Sequence, residues 1–167
     1  MNKATCVTSQ KEEVAVSELV LTLQTLLPEG SPYPTYGTDN SVGLDLPLQE
    51  DLYIAPQSTV MTDLGFIVQW PQGTYGMIVP RSSTGKKGLI LANTIGIIDP
   101  DYCGPQDTLK LLIRNVTDNP VYLNKGDRIA QLLLLPFIKP DVLYVDWYDS
   151  QEELNGESRG GFGSTGQ

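Results

Sequence analysis

Histidine is absent from the 167 residues, which removes the side chain that most often serves as a base near neutral pH. Acid or base chemistry must then fall to carboxylates, Tyr, Lys, Cys or a metal-bound water. Only two cysteines, Cys6 and Cys103, are present. They make no disulfide framework, and with no imidazole to join them they offer no tetrahedral zinc site. Any metal should be a hard cation held by oxygens. Positive charge is also scarce: 11 Lys and Arg face 20 Asp and Glu, a formal net charge of -9. Proteins that wrap nucleic acid neutralise many phosphates with cations, so stable nucleic-acid binding is not expected. A small polyanion stays compatible with local basic clusters. No long apolar run occurs either. The longest stretch, positions 129–138, is interrupted by Gln131 and Pro136 and is too short to cross a bilayer. The opening MNKATCVTSQKEE turns acidic where an export signal needs an apolar core. A soluble protein in a reducing, cytoplasmic or otherwise intracellular setting is expected, with no membrane partner.

What is present is a succession of short apolar, β-branched runs: LVLTLQTLL, TYGMIVP, LILAN, TLKLLI, PVYLN and RIAQLLLLPFI. These read as strands. Twelve prolines and sixteen glycines leave little room for a long amphipathic helix, so the chain should be all-β, a sandwich or jelly roll. Three regions are expected. Residues 1–15 are polar and aperiodic and read as a flexible N-terminal arm. Residues 16–154 read as one β-domain, with a helical turn hinted at 149–154. Residues 155–167 read as a glycine-rich flexible tail.

Four segments carry candidate chemistry. PRSSTGKKGLI at 80–90 follows a strand and offers Arg81, Ser82, Ser83, Gly85 and two lysines. Guanidinium forks, hydroxyls and close backbone N–H groups can wrap a polyphosphate, although the same residues suit a solvated basic turn. NTIGIIDPDYCG at 93–104 sets Asp99 at a buried edge beside Ile97 and Ile98, where it could orient a water, and Tyr102 offers a flat face to a sugar or base. The same segment also suits an Asp-Pro turn closing a hairpin. GDRIAQLLLLP at 126–136 places the polar Arg128 and Gln131 at the head of an apolar strand; each needs a core partner or a ligand. RGGFGSTG at 159–166 puts a cation and an aromatic ring into a glycine tail, and Phe162 hints at folding onto something.

Taken in order, and with SVGLDL at 41–46 as the first motif, these segments resemble the five motifs of the trimeric dUTPase family over most of the chain. The resemblance implies a jelly-roll-like subunit and a homotrimer with shared active sites. It also implies hydrolysis of dUTP to dUMP and pyrophosphate, which keeps uracil out of DNA and supplies dUMP for dTMP synthesis. Carried over by position, Asp99 would activate the water that attacks the α-phosphorus. Tyr102 would stack under the deoxyribose, and Asn93 would pair with uracil. Arg81, Ser82, Ser83 and Gln131 would cradle the phosphates. Asp45 would sit near a Mg2+ cofactor through water, with the ion held mainly by the triphosphate. Arg159 would reach the γ-phosphate, while Phe162 and Gly163 of the closing tail would cover the uracil.

The chain departs from the family pattern in two places. Ser83 stands where many members carry Gly, and Tyr102-Cys103-Gly104-Pro105 replaces the usual Tyr-Arg-Gly-Glu. The stretch up to Asn115 is also longer by about three residues, which leaves the strand register after Tyr102 open. The related dCTP deaminases share Arg-Ser-Ser and Ile-Asp-Pro signatures, but their Thr-Leu-Glu is matched here by Thr108, Leu109 and Lys110. A further alternative is a regulatory protein on the same fold that no longer turns over nucleotide.

Overall fold

The computed structural model describes residues 20–142 and 144. Compact units comprise Met1–Phe137 and Ile138–Gln167. Among the described residues of the second unit no strand or helix occurs. Among the described residues the first unit holds twelve strands and one 3-10 turn, Gly85–Lys87, and no α-helix. The all-β, jelly-roll-like architecture expected from the short strand runs is therefore observed. None of its described helices is long and apolar enough to cross a membrane.

The central layer is a five-stranded antiparallel sheet in the order β2 (Thr35–Tyr36), β3 (Leu44–Pro47), β12 (Arg128–Pro136), β7 (Thr74–Pro80) and β9 (Gly96–Ile98). A second sheet orders β5 (Thr59–Asp63), β10 (Lys110–Asn115) and β8 (Leu89–Leu91). Two strand pairs complete the unit, β1 (Thr22–Thr25) with β6 (Phe66–Gln69) and β11 (Val121–Leu123) with β4 (Leu52–Ile54).

The period-two pattern of the sequence explains which faces are buried. In β10, Leu111, Ile113 and Asn115 point inward while Lys110, Leu112 and Arg114 point out. Leu46, Ile54, Leu64, Phe66 and Ile113 are wholly buried, and each contributes about 1.5–3 kcal/mol through removal from water. Asn115 is a wholly buried polar residue beside this core. Its amide donates to the carbonyls of Ile54 (3.1 Å) and Asn119 (2.7 Å), and its oxygen accepts from the Thr117 N–H (2.9 Å). These bonds offset its desolvation.

The register left open after Tyr102 is defined. The extra residues close into a turn in which the Asp107 N–H donates to the Gly104 carbonyl (3.1 Å) and the Gly104 N–H to Asp107 Oδ2 (2.8 Å). β10 then pairs with β5 with Lys110 opposite Asp63.

A β-bulge interrupts the pairing of β12 with β3. Arg128 lies opposite Pro47, yet Ala130 lies opposite Leu46 and Gln131 opposite Asp45. Ile129 is the additional residue. In a regular strand, residues three apart face opposite sides; one extra residue brings Arg128 and Gln131 to the same side.

Candidate active site

Asp45 lies in β3 between Leu44 and Leu46 and is only 4% exposed. A buried carboxylate needs compensation. Arg81, just past the end of β7, brings Nε to 2.7 Å from Asp45 Oδ1, and Arg128 brings Nη1 to 3.4 Å from Oδ2. Arg81 is held from other directions as well: its N–H donates to the Ile129 carbonyl (3.0 Å) and its Nη1 to the Arg128 carbonyl (2.9 Å). Two guanidinium groups thus share one buried carboxylate, which leaves a net positive charge. The remaining N–H groups of Arg81 are available to a ligand.

The segment expected to wrap phosphate is a hydrogen-bonded turn leading into the 3-10 turn. Thr84 is buried and its hydroxyl donates to the Ile129 carbonyl. Its N–H donates to the Arg81 carbonyl (3.0 Å), so the loop is pinned onto β12. Gly88 ends the turn at φ +69°, a conformation that favours glycine.

Asp45, Arg81, Ser82 and Gln131 line one cavity of about 350 Å3, together with Ser41 and Gly43 of the first motif. Gln131 lies directly opposite both Asp45 and Val79, and its Nε2 donates to the Pro80 carbonyl (3.3 Å). Gln131 thus has a backbone partner at the exposed end of β7 while it also lines the cavity. Gly43 lies so close beneath it that a Cβ there would overlap the Gln131 side chain. Ser83 is not part of this lining; its carbonyl accepts from the Lys86 N–H (3.2 Å).

Asn93 lines a second, smaller cavity of about 140 Å3 with Gly96, Ile97, Ile98 and Lys110. Its side-chain amide donates to the Ile95 carbonyl (3.2 Å). The turn is tight: Thr94 has φ +64°, uncommon for a β-branched residue, and is held by its N–H bond to the Leu91 carbonyl (2.9 Å).

Asp99 lies in a third cavity of about 350 Å3 with Tyr75, Ile97, Pro100 and Phe137. The expectation of a buried edge is corrected here. Asp99 is exposed in the single chain, and Ile97 is 56% exposed. β9 is three residues long and forms the outer edge of its sheet, so among the described residues no strand pairs with its outer side. Asp99 and Tyr102 are linked by a β-turn with Pro100 in second position: the Tyr102 N–H donates to the Asp99 carbonyl (3.1 Å). The Asp-Pro turn is present, but it closes no hairpin: β9 pairs with β7, while the next strand, β10, pairs with β5 and β8.

Some expected site residues lie outside the described residues, namely Arg159, Phe162 and Gly163. Sequence reasoning missed the role of Arg128 as second partner of Asp45, the Thr84 anchor, and the fit of Gly43 under Gln131. A charged residue flanked by leucines in LDL was the available signal for the first.

Among the described residues no three carboxylates or thiols cluster as ligands for a metal. Asp45 Oδ2, however, is buried with no hydrogen-bond partner beside the longer Arg128 ion pair, and it belongs to a residue lining the Arg81 cavity. That fits a cation bound chiefly to a ligand's oxygens and touching the protein through a retained water.

Comparison with known proteins agrees over most of the chain. The dUTPase family profile matches residues 29–166. The deoxyuridine 5'-triphosphate nucleotidohydrolase of Shewanella baltica (strain OS155) is 41% identical over 139 residues, covering 81% of this chain and 87% of that protein. The protein of the same name from Coxiella burnetii (strain Dugway 5J108-111) is 40% identical over 140 residues, covering 81% and 88%. The crystal structure of the dUTPase from Streptococcus mutans superposes with a TM-score of 0.67 at 29% identity, covering 73% of this chain and 98% of that one.

Proposed function

The chain belongs to the dUTPase family, and we propose that it hydrolyses dUTP to dUMP and pyrophosphate. The observation that carries this reading is the cavity where Arg81, Ser82 and Gln131 surround the buried Asp45. A surplus of fixed positive charge there suits a polyphosphate.

In this reading Arg81, Ser82 and Gln131 hold the phosphate oxygens, with Ser83 contributing from the neighbouring turn. Asn93 pairs with the polar edge of uracil, and Tyr102 lies under the deoxyribose. Asp99 takes a proton from water as the water oxygen bonds to the α-phosphorus. The bond from that phosphorus to the bridging oxygen then breaks, and pyrophosphate leaves with the electron pair. Asp45 would sit near a Mg2+ carried by the triphosphate, and such an ion would supply Lewis-acid neutralisation of the growing charge. Arg159 reaches the γ-phosphate, and Phe162 and Gly163 cover the base.

Arg81, Ser82 and Gln131, assigned to phosphate, and Asp99, assigned to water activation, line cavities with no residue in common. The exposed edge at Ile97 and Asp99 is consistent with cover from another copy. We therefore propose a homotrimer in which a site combines Arg81 of one subunit with Asp99 of a second, acting in a cytoplasmic or otherwise intracellular setting. Residues 16–154 would form the β-domain, preceded by an arm at 1–15 and followed by a closing tail at 155–167.

Pyrophosphate and ammonia release, measured over dUTP, dCTP, dTTP and UTP, tests the activity. Rapid pyrophosphate release from dUTP alone is expected. Ammonia from dCTP would identify a deaminase, and silence on all four would favour a regulatory protein.

A further inference from the structure

Tyr102 is fastened at both ends. Its backbone is closed into the turn with Asp99, and its hydroxyl donates to the Thr108 carbonyl at 3.1 Å. Thr108 is itself fixed. It is 6% exposed, and its hydroxyl donates to Asp63 Oδ2 at 2.7 Å. Asp63 Oδ1 accepts the Gly65 N–H at 2.7 Å, so both carboxylate oxygens are engaged and the group cannot swing away. The next residue, Leu109, donates to the Phe66 carbonyl (2.8 Å) and accepts from the Leu64 N–H (2.9 Å). A chain of contacts therefore runs from β5 through Thr108 and Leu109, just ahead of β10, to the ring of Tyr102. It crosses the stretch where this chain departs from the family pattern.

We infer that Thr108 and Asp63 are positioning residues that hold the Tyr102 ring in place and so set discrimination against the ribose 2′-hydroxyl. The inference rests on the reading of Tyr102 as the residue under the sugar. A ring that excludes one oxygen must not yield by more than a fraction of that atom's diameter, and a half-buried Tyr anchored only at Cα retains freedom about two torsions. The hydroxyl bond removes that freedom. Its acceptor is a backbone carbonyl whose own residue is held by a part-buried hydroxyl–carboxylate bond, which is stronger than a neutral pair.

The test is the ratio of kcat/KM for dUTP to that for UTP in full-length Tyr102→Phe, Thr108→Val and Thr108→Ser. Tyr102→Phe and Thr108→Val should lower the ratio about 5–20-fold, chiefly by raising activity on UTP, as expected when a site loses one ordering hydrogen bond. Thr108→Ser keeps the hydroxyl and should restore the ratio to within about twofold of the parent. A purely structural role would lower activity on both nucleotides together and leave the ratio alone. Ratios unchanged in Tyr102→Phe would overturn the inference even if Thr108→Val fails to fold. A parent protein with no preference for dUTP would instead remove the reading of Tyr102 on which it rests.

Discussion

Arg81 reaches from the end of β7 across β12 to Asp45 on β3, where its Nε stands 2.7 Å from Oδ1. The pair is asymmetric in burial: the Asp45 side chain is 6% exposed and that of Arg81 31%. Removing the arginine should therefore cost more stability than neutralising the acid. Arg81→Ala leaves a buried carboxylate with only Arg128 nearby, a loss of about 2–3 kcal/mol. Asp45→Asn keeps an acceptor for Nε and leaves the charges on the more exposed side, a loss of about 1 kcal/mol. Differential scanning calorimetry should show the larger fall in midpoint for Arg81→Ala; equal falls would mean that the carboxylate is not relying on Arg81. Both variants should lose at least about tenfold in turnover of dUTP.

Asp99→Asn should fold like the parent, because the turn uses the Asp99 carbonyl and not its carboxylate. Turnover should fall about 10²–10⁴-fold, as for loss of a general base, while a non-hydrolysable dUTP analogue still binds in calorimetric titration. Near-parent turnover would remove Asp99 from the chemistry.

Gly43→Ala tests the cradle without touching a charge. The new methyl must displace the end of the Gln131 side chain, which is flexible, so stability should change by less than about 1 kcal/mol. Activity should drop about tenfold through a higher KM. A normal KM would show that Gln131 does not touch the phosphates.

Mixing tests whether sites are shared. Asp99→Asn and Arg81→Ala should each be nearly inactive alone, yet co-refolded mixtures should regain activity through sites that join an intact Asp99 to an intact Arg81 on another chain. Mixed trimers verified by native mass spectrometry that stay inactive would place both residues of a site on one chain.

Truncation after Leu154 removes Arg159 and Phe162. The core is built from earlier strands, so the thermal midpoint should hold within about 2 °C, whereas dUTP turnover should fall by an order of magnitude or more. Full activity in the truncated chain would make residues 155–167 dispensable.

The strand content was legible because alternation in KLLIRN and in TYGMIVP is a local property, and the same side chains that create the pattern create the burial. The grouping of Asp45, Arg81, Ser82 and Gln131 was legible only through the motif resemblance, since residues so far apart in the chain meet through pairings that no local pattern encodes. The exposure of Asp99 was misjudged for a related reason. Apolar neighbours in sequence imply burial only if something packs against them, and β9 is an edge strand in the single chain. The contacts of Tyr102 with Thr108 were hidden by the unusual length of the stretch between them.

The bulge at Ile129 gives β12 a phase. Ahead of it and behind it, inward and outward positions alternate out of step, and only this offset lets Arg128 and Gln131 address the same side as Asp45. Exchanging one apolar residue for another along the strand changes a volume and leaves the phase alone. Deleting a single residue there would instead work like a frameshift written in three dimensions: every letter downstream would still be present, but Gln131 would be read into the wrong face.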